Sequence, residues 1–299
     1  MTAARSLSNN WSELIAEEAS AGVQVIEIKD DVSRAKKDQL QVLVGNELSP
    51  AEILNTTLEK GYRHTIQHTS NVFETELLAS AKLELDPKRL QCFPVSAILD
   101  PAACGPEAEK RLQLFTKTFS IAREKSGILR EVEEMLSDKI KSTGLKADIV
   151  TVSDELLTNA IFNAPFVDLQ NSHPGESREN PSVQMTDGKT GDFFIGADAE
   201  RIVIGCRDPY GSLNPKKLLE RIRNCYLRSV AATMNMEGSG GAGIGSFMVF
   251  NSSTSYYVSV DKMKTTVVCA VMPIKGSGRA RQEAPKNIHI INLEETDNG

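Results

Sequence analysis

Apolar positions in the first hundred residues alternate between the short period of strands and the longer period of helices. Apolar runs at Val23 to Ile28 and at Leu40 to Val44 predict two buried strands. Helical spacing follows from Ser49 to Lys60, then a short strand at Tyr62 to Gln67 and a second helix from Phe73 to Leu85. Because strands and helices take turns along the chain, this part predicts a small α/β domain with a parallel sheet.

Single residues mark the ends of the first predicted helix. Ser49 precedes Pro50, as an N-cap residue precedes proline in a first turn, and Gly61 stands where a C-cap glycine belongs. The layout from Leu54 through Gly61 to His64 resembles the end of a bacterial receiver domain. The acidic cluster of a working receiver cannot be placed, so this resemblance implies a degenerate copy that docks partners.

Prolines crowd the interval that follows, at positions 87, 94, 101 and 106. Such a concentration is typical of a linker. It predicts a boundary between a domain of residues 1–105 and a second domain of residues 106–280, with residues 281–299 as a polar tail to which Asn287 to Leu293 could add an edge strand. Between Ala108 and Ser142, apolar positions at helical spacing predict two helices or one helix kinked near Gly127.

Three polar residues share one side of the next predicted helix, from Leu145 to Ala164. Glu155, Asn159 and Asn163 are four residues apart, so they stack in a row away from the apolar stripe. A carboxylate can orient or deprotonate a nucleophile, and an amide oxygen is a hard neutral ligand for Mg²⁺. Taken alone, the row is more typical of a solvated helix face than of a binding site.

An acid ends the following strand. The apolar segment from Ala199 to Pro209 predicts a buried strand that closes on Asp208-Pro-Tyr-Gly211. Aspartate commonly initiates turns, which is one interpretation. The other is that Asp208 accepts a hydrogen bond from the amino group of adenine while the tight turn lets the backbone approach the base.

The third feature is a glycine-rich stretch, with glycines at positions 238, 240, 241, 243 and 245, before the apolar residues 247–250. Such a loop lets backbone N–H groups converge on phosphate oxygens, and a helix that begins there adds its positive end. A flexible linker is the alternative. The dinucleotide fingerprint that the spacing matches requires a preceding strand, whereas Pro215 to Met236 looks helical, and no Walker A lysine follows.

In this order the three features resemble the histidine-kinase-like ATPase superfamily, which includes sensor kinases, gyrase-type ATPases and anti-sigma-factor serine kinases. Asp154 to Asn163 looks like its N box, Asp208 to Gly211 like its first glycine box, Gly240 to Gly245 like its second, and Thr265 to Val271 like its closing strand. The resemblance covers roughly residues 108–275. It implies an α/β fold whose C-terminal domain is a two-layer α/β sandwich, with helices on one face of a mixed sheet.

The resemblance also implies roles for these residues, with ATP and Mg²⁺ as cofactors. Glu155 would be the catalytic base, Asn159 the Mg²⁺ ligand and Asn163 a phosphate-side contact. Asp208 and Gly211 would bind the adenine, and residues 212–239 would form a lid. The phosphate cradle would consist of Gly240, Gly241, Gly243 and Gly245.

Two departures from the family pattern matter. The first glycine box normally has glycines two and four residues after its aspartate, whereas here Gly211 follows at three. No histidine lies between Ala108 and Ile149, where a sensor kinase carries its phospho-acceptor. The resemblance therefore favours a regulatory ATPase or serine/threonine kinase of anti-sigma type acting on a sigma-factor or anti-anti-sigma-like partner. The alternative is an inactive module used for partner docking.

Composition adds exclusions rather than a function. The chain has 299 residues, a formal net charge of −6 and no long cluster of like charge, which argues against nucleic acid or an anionic membrane as partner. No apolar stretch approaches the length that spans a bilayer. The five cysteines follow no disulfide or metal-binding pattern, which is typical of a protein in a reducing cytoplasm. A homodimer is compatible with the sequence. His64 and His68 lack acidic or cysteine companions and are interpreted as surface residues.

Overall fold

One mixed sheet organises the part of the chain that this computed structural model describes, namely residues 23–27, 40–45, 47–166, 182–185, 188–228 and 244–293. Within those residues it has nine strands, in the spatial order β1-β2-β3-β9-β7-β8-β6-β5-β4. Their bounds are Val23–Glu27 (β1), Leu40–Gly45 (β2), His64–Gln67 (β3), Gln113–Phe119 (β4), Gly191–Ala197 (β5), Arg201–Asp208 (β6), Ser255–Asp261 (β7), Thr265–Pro273 (β8) and Asn287–Asn292 (β9).

Ten α-helices connect these strands within the same described ranges. Their bounds are Pro50–Lys60 (α1), Phe73–Leu85 (α2), Lys88–Cys92 (α3), Pro94–Leu99 (α4), Pro106–Leu112 (α5), Glu124–Lys139 (α6), Thr143–Thr158 (α7), Pro215–Arg228 (α8), Ile244–Ser252 (α9) and Gly278–Glu283 (α10). The α/β class expected from the sequence is confirmed. No helix in this part of the chain is long and apolar enough to cross a membrane.

The first hundred residues follow the predicted order of elements closely. Strands β1, β2 and β3 pair in parallel, as the alternation of strands and helices predicted. Helix α1 begins with a capping box, in which Ser49 and Glu52 bond each other's backbone N–H groups, and it ends at Gly61 in the left-handed region. Both ends were predicted because a capping signal lies within a few residues of the end that it sets.

Strand β9 is an interior strand, so the expected edge position in the tail is wrong. It pairs antiparallel with β3 and parallel with β7, and it joins the first three strands to the rest of the sheet. Its residues are buried on both faces, with Ile288 and Ile290 on one side and Ile291 on the other. Strands from both expected domains thus share one sheet, and the boundaries near residues 105 and 280 stay predictions.

Helices cover both faces of the sheet. One core lies between the first face and helices α1 and α6 to α9, which is the one-sided cover that the resemblance implies for the C-terminal part. A second core lies against the opposite face, where Leu90, Val95 and Ile98 of α3 and α4 pack. The segment predicted as a proline-rich linker is therefore buried structure, because Pro94 and Pro106 occupy the first turn of short helices, where proline is favoured.

The region between Ala108 and Ser142 contains a strand that the helical reading of its pattern missed. Helix α5 ends at Leu112, β4 forms the edge of the sheet, and α6 follows. Phe115 and Phe119 are four residues apart, a spacing that puts two side chains on one face of a strand as well as of a helix. Both contact the first core, so their periodicity could not distinguish the two structures.

Candidate functional site

The helix with the predicted polar row changes its winding at that row. Helix α7 is regular up to Thr158, and a π-helical turn runs from Asn159 to Asn163, with the Ala164 N–H donating to the carbonyl of Asn159. Such turns occur frequently at functional sites. Despite the wider turn, Asn163 Nδ2 donates to Asn159 Oδ1 at 2.6 Å, so the two carboxamides remain together.

The start of helix α9 lies directly against Glu155. A Cβ atom at Gly245 would overlap Oε2 of the Glu155 carboxylate, so a larger residue at position 245 would displace the end of the Glu155 side chain. Gly245 is buried in the first turn of α9, whose N-terminal N–H groups favour negative charge. The structure thus brings together two residues that the sequence had assigned to one site across 90 positions.

Asp208 ends strand β6 in a buried environment. Its side chain is 7% exposed, and its Oδ1 accepts a hydrogen bond from the Tyr210 N–H at 3.0 Å, which forms the predicted turn. Burial raises the pKa of the Asp208 carboxyl to about 6, although the backbone N–H of Tyr210 opposes the rise. The charged form of Asp208 therefore costs free energy in the folded protein, and such displaced pKa values are common at binding and catalytic sites.

Thr266 lies opposite Asp208 in the antiparallel pairing of β6 with β8. The residue is 1% exposed, and its hydroxyl bonds the Asp208 carboxylate closely enough to oppose the rise of that pKa. The bond does not reach normal geometry, and a poorly made hydrogen bond at a buried hydroxyl costs free energy. Together, Asp208 and Thr266 present an acceptor and a hydroxyl that could meet the polar edge of a nucleobase.

The turn after Asp208 is held from two sides. Gly211 has φ 59°, and a Cβ there would overlap the Asp261 carbonyl oxygen in the turn between β7 and β8. Next to it, Ser212 Oγ donates to the carbonyl of Ala164 at 2.7 Å, just beyond the π turn. The turn after Asp208 is therefore attached to the end of helix α7, and packing against a hairpin already explains why position 211 is glycine.

The predicted site residues divide into those that the structure brings together and those outside its described part. Glu155 meets Gly245, Asn159 meets Asn163, and Ser212 links the Asp208 turn to the same helix. Gly240, Gly241 and Gly243 lie outside the described residues, as does the lid beyond residue 228. Within the described ranges, no group of three or more His, Cys, Asp or Glu could hold a metal.

Sequence reasoning missed Thr266 as a site residue, although one signal pointed to it. Thr266 lies in an otherwise apolar strand that was identified as the closing strand of the family. Its alignment with Asp208 depends on which strands are neighbours and in what register. The sequence pattern contains neither piece of information.

A second group of buried polar residues, which we call the seam cluster, lies where β3 meets β9. It consists of Arg63, His64, Glu76, Glu84 and His289. Both histidines are buried, so the surface interpretation of His64 is wrong. Its acidic companions come from α2, which the sequence does not place beside it.

The side chains of the seam cluster form one continuous series of contacts. Arg63 pairs with Glu84 at 2.7 Å, and Glu84 faces His64 Nε2 at 3.3 Å. The Nδ1 atoms of His64 and His289 are 3.0 Å apart, and His289 Nε2 faces Glu76 at 2.8 Å. Burial lowers the pKa of the His289 ring, although the adjacent Glu76 carboxylate opposes this shift.

Comparisons with known proteins add little to this geometry. No protein-family model matches the chain, and no curated protein sequence matches it. Among solved structures, a chain in the crystal structure of the SiaB–SiaC complex from Pseudomonas aeruginosa overlaps with a TM-score of 0.39 and 17% identity, over 56% of this chain and 94% of that chain. The functional conclusion therefore rests on the residues described above.

Proposed function

We propose that this protein is a signalling protein that binds Mg·ATP in its second half and uses it as a regulatory ATPase or serine/threonine kinase. The observation that carries the proposal is the buried Asp208 carboxylate beside the buried Thr266 hydroxyl, at the end of β6. The 6-amino group of adenine is a donor suited to the carboxylate, and the Thr266 hydroxyl can bond the base as donor or acceptor.

The remaining residues suit the phosphate end of the same ligand. Asn159 Oδ1 accepts from Asn163 and keeps a lone pair for Mg²⁺, which binds few protein oxygens when phosphate and water supply the rest. Glu155 of α7, whose carboxylate lies against the start of α9, is positioned to take a proton from an attacking hydroxyl. Bound Mg·ATP would supply the transferable phosphoryl group, and the predicted glycine cradle from Gly240 to Gly245 would hold its phosphates.

Binding can be tested by thermal shift with Mg·ATP, Mg·GTP and Mg²⁺ alone. A ligand that binds only the folded state stabilises it by about 2.7 kcal/mol at a hundred times its Kd, so Mg·ATP raises Tm by several degrees. Mg·GTP raises it less, because guanine presents a carbonyl where adenine presents its amino group. Equal shifts with ATP and GTP would remove Asp208 as the adenine reader, and no shift with either would end the proposal.

Turnover is a separate claim with its own matched pair of variants. Glu155→Gln keeps the shape of the side chain but removes the base, so phosphate release or transfer to serine falls by 10² or more, as general-base catalysis typically contributes. Asp154→Asn is the control, since Asp154 pairs with Lys125 at 2.7 Å. Unchanged turnover in Glu155→Gln, with nucleotide still bound, would exclude Glu155 as the base.

A second candidate function is a docking module that binds nucleotide without turning it over. Gly211 favours it, because its contact with the hairpin after β7 explains the glycine without any approach to adenine. The observation that distinguishes the candidates is the wild-type reaction itself. Tight Mg·ATP binding with no phosphate released and no serine labelled supports the docking module, whose regulatory partner would then respond to occupancy alone.

A further inference from the structure

A cleft of about 540 Å³ lies between the N-terminal strands and the turn that follows Asp208. One wall is the end of α1 together with Tyr62 and Arg63, and the other is the segment from Gly211 to Lys216. The hairpin residues Lys262 and Met263 close one side. Its volume is within the range of small-molecule sites, and its lining includes none of Glu155, Asn159, Asp208 and Thr266.

The charge of the lining is opposite to that of the chain. Acidic residues outnumber basic ones in the sequence, 40 to 34. The cleft nevertheless presents Arg63, Lys216 and Lys262, and no aspartate or glutamate lines it within the described residues. Cations gathered in a concave site raise the local concentration of anions.

Arg63 is the cation of this lining whose position is set by the core. Its side chain is 24% exposed, and Nη2 pairs with Glu84 at 2.7 Å from behind the cleft. A guanidinium group held on one side still has donors directed elsewhere, since it carries five N–H bonds in a planar fork. Lys216 and Lys262 are exposed and carry the other two positive charges of the lining.

The floor of the cleft is apolar. Leu219 of α8, Val260 of β7 and Ile290 of β9 lie there, and Leu58 of α1 flanks them. An inorganic anion would leave this surface uncovered, whereas an organic anion with an apolar body would bury it while its charged group meets the cations of the lining.

We propose that this cleft is a second ligand site, which binds a small organic anion composed of an apolar body and a sulfonate, carboxylate or phosphate group. The cleft adjoins the nucleotide site and shares Gly211 and the start of the expected lid with it, but it contains none of Glu155, Asn159, Asp208 and Thr266. Its occupant would contact both the end of α1 and the segment from Gly211 to Lys216, and would therefore bridge the two halves of the chain.

The probe for this site is 8-anilinonaphthalene-1-sulfonate, which combines an apolar body with one anionic group and becomes fluorescent when bound. The full chain is titrated with it and with N-phenyl-1-naphthylamine, the same ring system without the sulfonate. We expect one sulfonate probe per chain and at least fivefold weaker binding of the neutral analogue. Equal affinity for the two compounds, or no saturable binding, overturns the proposal.

Two double variants with the same change of net charge make the test specific. Lys216→Gln with Lys262→Gln removes the two exposed cations of the lining and raises the Kd of the sulfonate probe about tenfold, since each exposed ion pair contributes up to about fivefold. Lys217→Gln with Lys264→Gln changes neighbours outside the lining and leaves the Kd within about twofold, because Lys264 already bonds Asp261. Equal weakening in both double variants shows a bulk charge effect and overturns the proposal.

The Asp208→Asn variant separates this cleft from the nucleotide site. Sulfonate binding unchanged in that variant, and undisturbed by saturating Mg·ATP, supports a second site. If the probe no longer binds to Asp208→Asn, or is displaced by saturating Mg·ATP, it occupies the nucleotide site and the proposal is overturned. Because the probe alone reports on the cleft, the result stands even if the chain binds no ATP.

Discussion

Two buried carboxylates, Glu76 in the seam cluster and Asp208 at the end of β6, have pKa values displaced in opposite directions. Burial disfavours the charge of Glu76, but hydrogen bonds from His289, Ser255 and Tyr257 outweigh it and hold its pKa below the usual value. At Asp208 burial prevails, and the pKa rises to about 6. Hydrogen bonds within the protein thus compensate for the burial of Glu76, whereas the burial of Asp208 retains a cost in free energy that a ligand can offset.

The largest effect we expect comes from breaking the seam cluster at Glu76. Glu76→Ala leaves the His289 ring and the hydroxyls of Ser255 and Tyr257 buried without their acceptor, which lowers the free energy of unfolding by about 3 to 5 kcal/mol. Urea denaturation at pH 7 measures this loss.

The control for Glu76 is Glu74→Ala, an exposed residue of the same helix, with a change within about 0.5 kcal/mol. Because the pKa of Glu76 is lowered in the folded state, its contribution is present above the unfolded pKa, near 4.3, and is lost as pH falls below it. A loss under about 1 kcal/mol at pH 7 would show that the hydrogen bonds to Glu76 do not stabilise the seam cluster.

Gly245→Ala tests the contact on which the candidate site depends. The added methyl overlaps the end of the Glu155 side chain, so the carboxylate must move away from the start of α9, which changes stability by no more than about 1 kcal/mol but weakens Mg·ATP binding. Gly127→Ala in α6 is the matched control, since nothing lies within 4 Å of its Cβ position.

Alanine at position 127 adds about 0.5 to 1 kcal/mol through helix propensity. Denaturation and isothermal titration of both variants give the comparison. If Gly245→Ala behaved like Gly127→Ala, the close approach of α9 to Glu155 would be wrong.

Asp208→Asn tests the candidate site because we expect it to raise stability and to lower ATP affinity. The pKa of Asp208 is raised on folding, so the native state binds the proton more tightly and stability falls as pH rises from about 4 to about 6. Asparagine removes that loss and raises the free energy of unfolding at pH 7 by about 1 to 2 kcal/mol, while ATP affinity decreases.

Denaturation between pH 4 and pH 7 shows this change as a flattened profile. Reduced stability together with unchanged ATP affinity would reclassify Asp208 as a structural turn residue.

The smallest expected change in stability belongs to Thr266→Val. Its hydroxyl makes only a poorly aligned bond to Asp208, so its removal changes the free energy of unfolding by no more than about 0.5 kcal/mol, while ATP binds several-fold more weakly. Thr57→Val is the control: the Thr57 hydroxyl bonds Ile53 O and Thr65 Oγ1, and its loss costs about 1 kcal/mol. Equal costs in the two variants would mean that the Thr266 hydroxyl makes a full structural hydrogen bond.

The sequence predicted the secondary-structure elements of this protein better than it predicted which elements lie next to one another. The strands and helices of residues 23–85 and strands β6 and β8 follow their apolar runs, because each periodic pattern reflects burial of one segment. The π turn at Asn159 has no periodic signal, since the same residues at the same spacing suit a regular helix. Prolines at positions 94 and 106 begin buried helices, which a count of prolines does not distinguish from a linker.

The sequence by itself determined the local features of this protein: the capped ends of α1, the turn at Asp208, the glycine-rich approach to α9 and the order of the three boxes. Only the tertiary structure decided that β9 lies between β3 and β7, that Thr266 faces Asp208 and that His64 meets His289, 225 positions away. The physical reason is the range of the interactions. Caps and turns satisfy backbone groups within a few residues, whereas strand neighbours depend on closing long loops and burying both faces of one sheet.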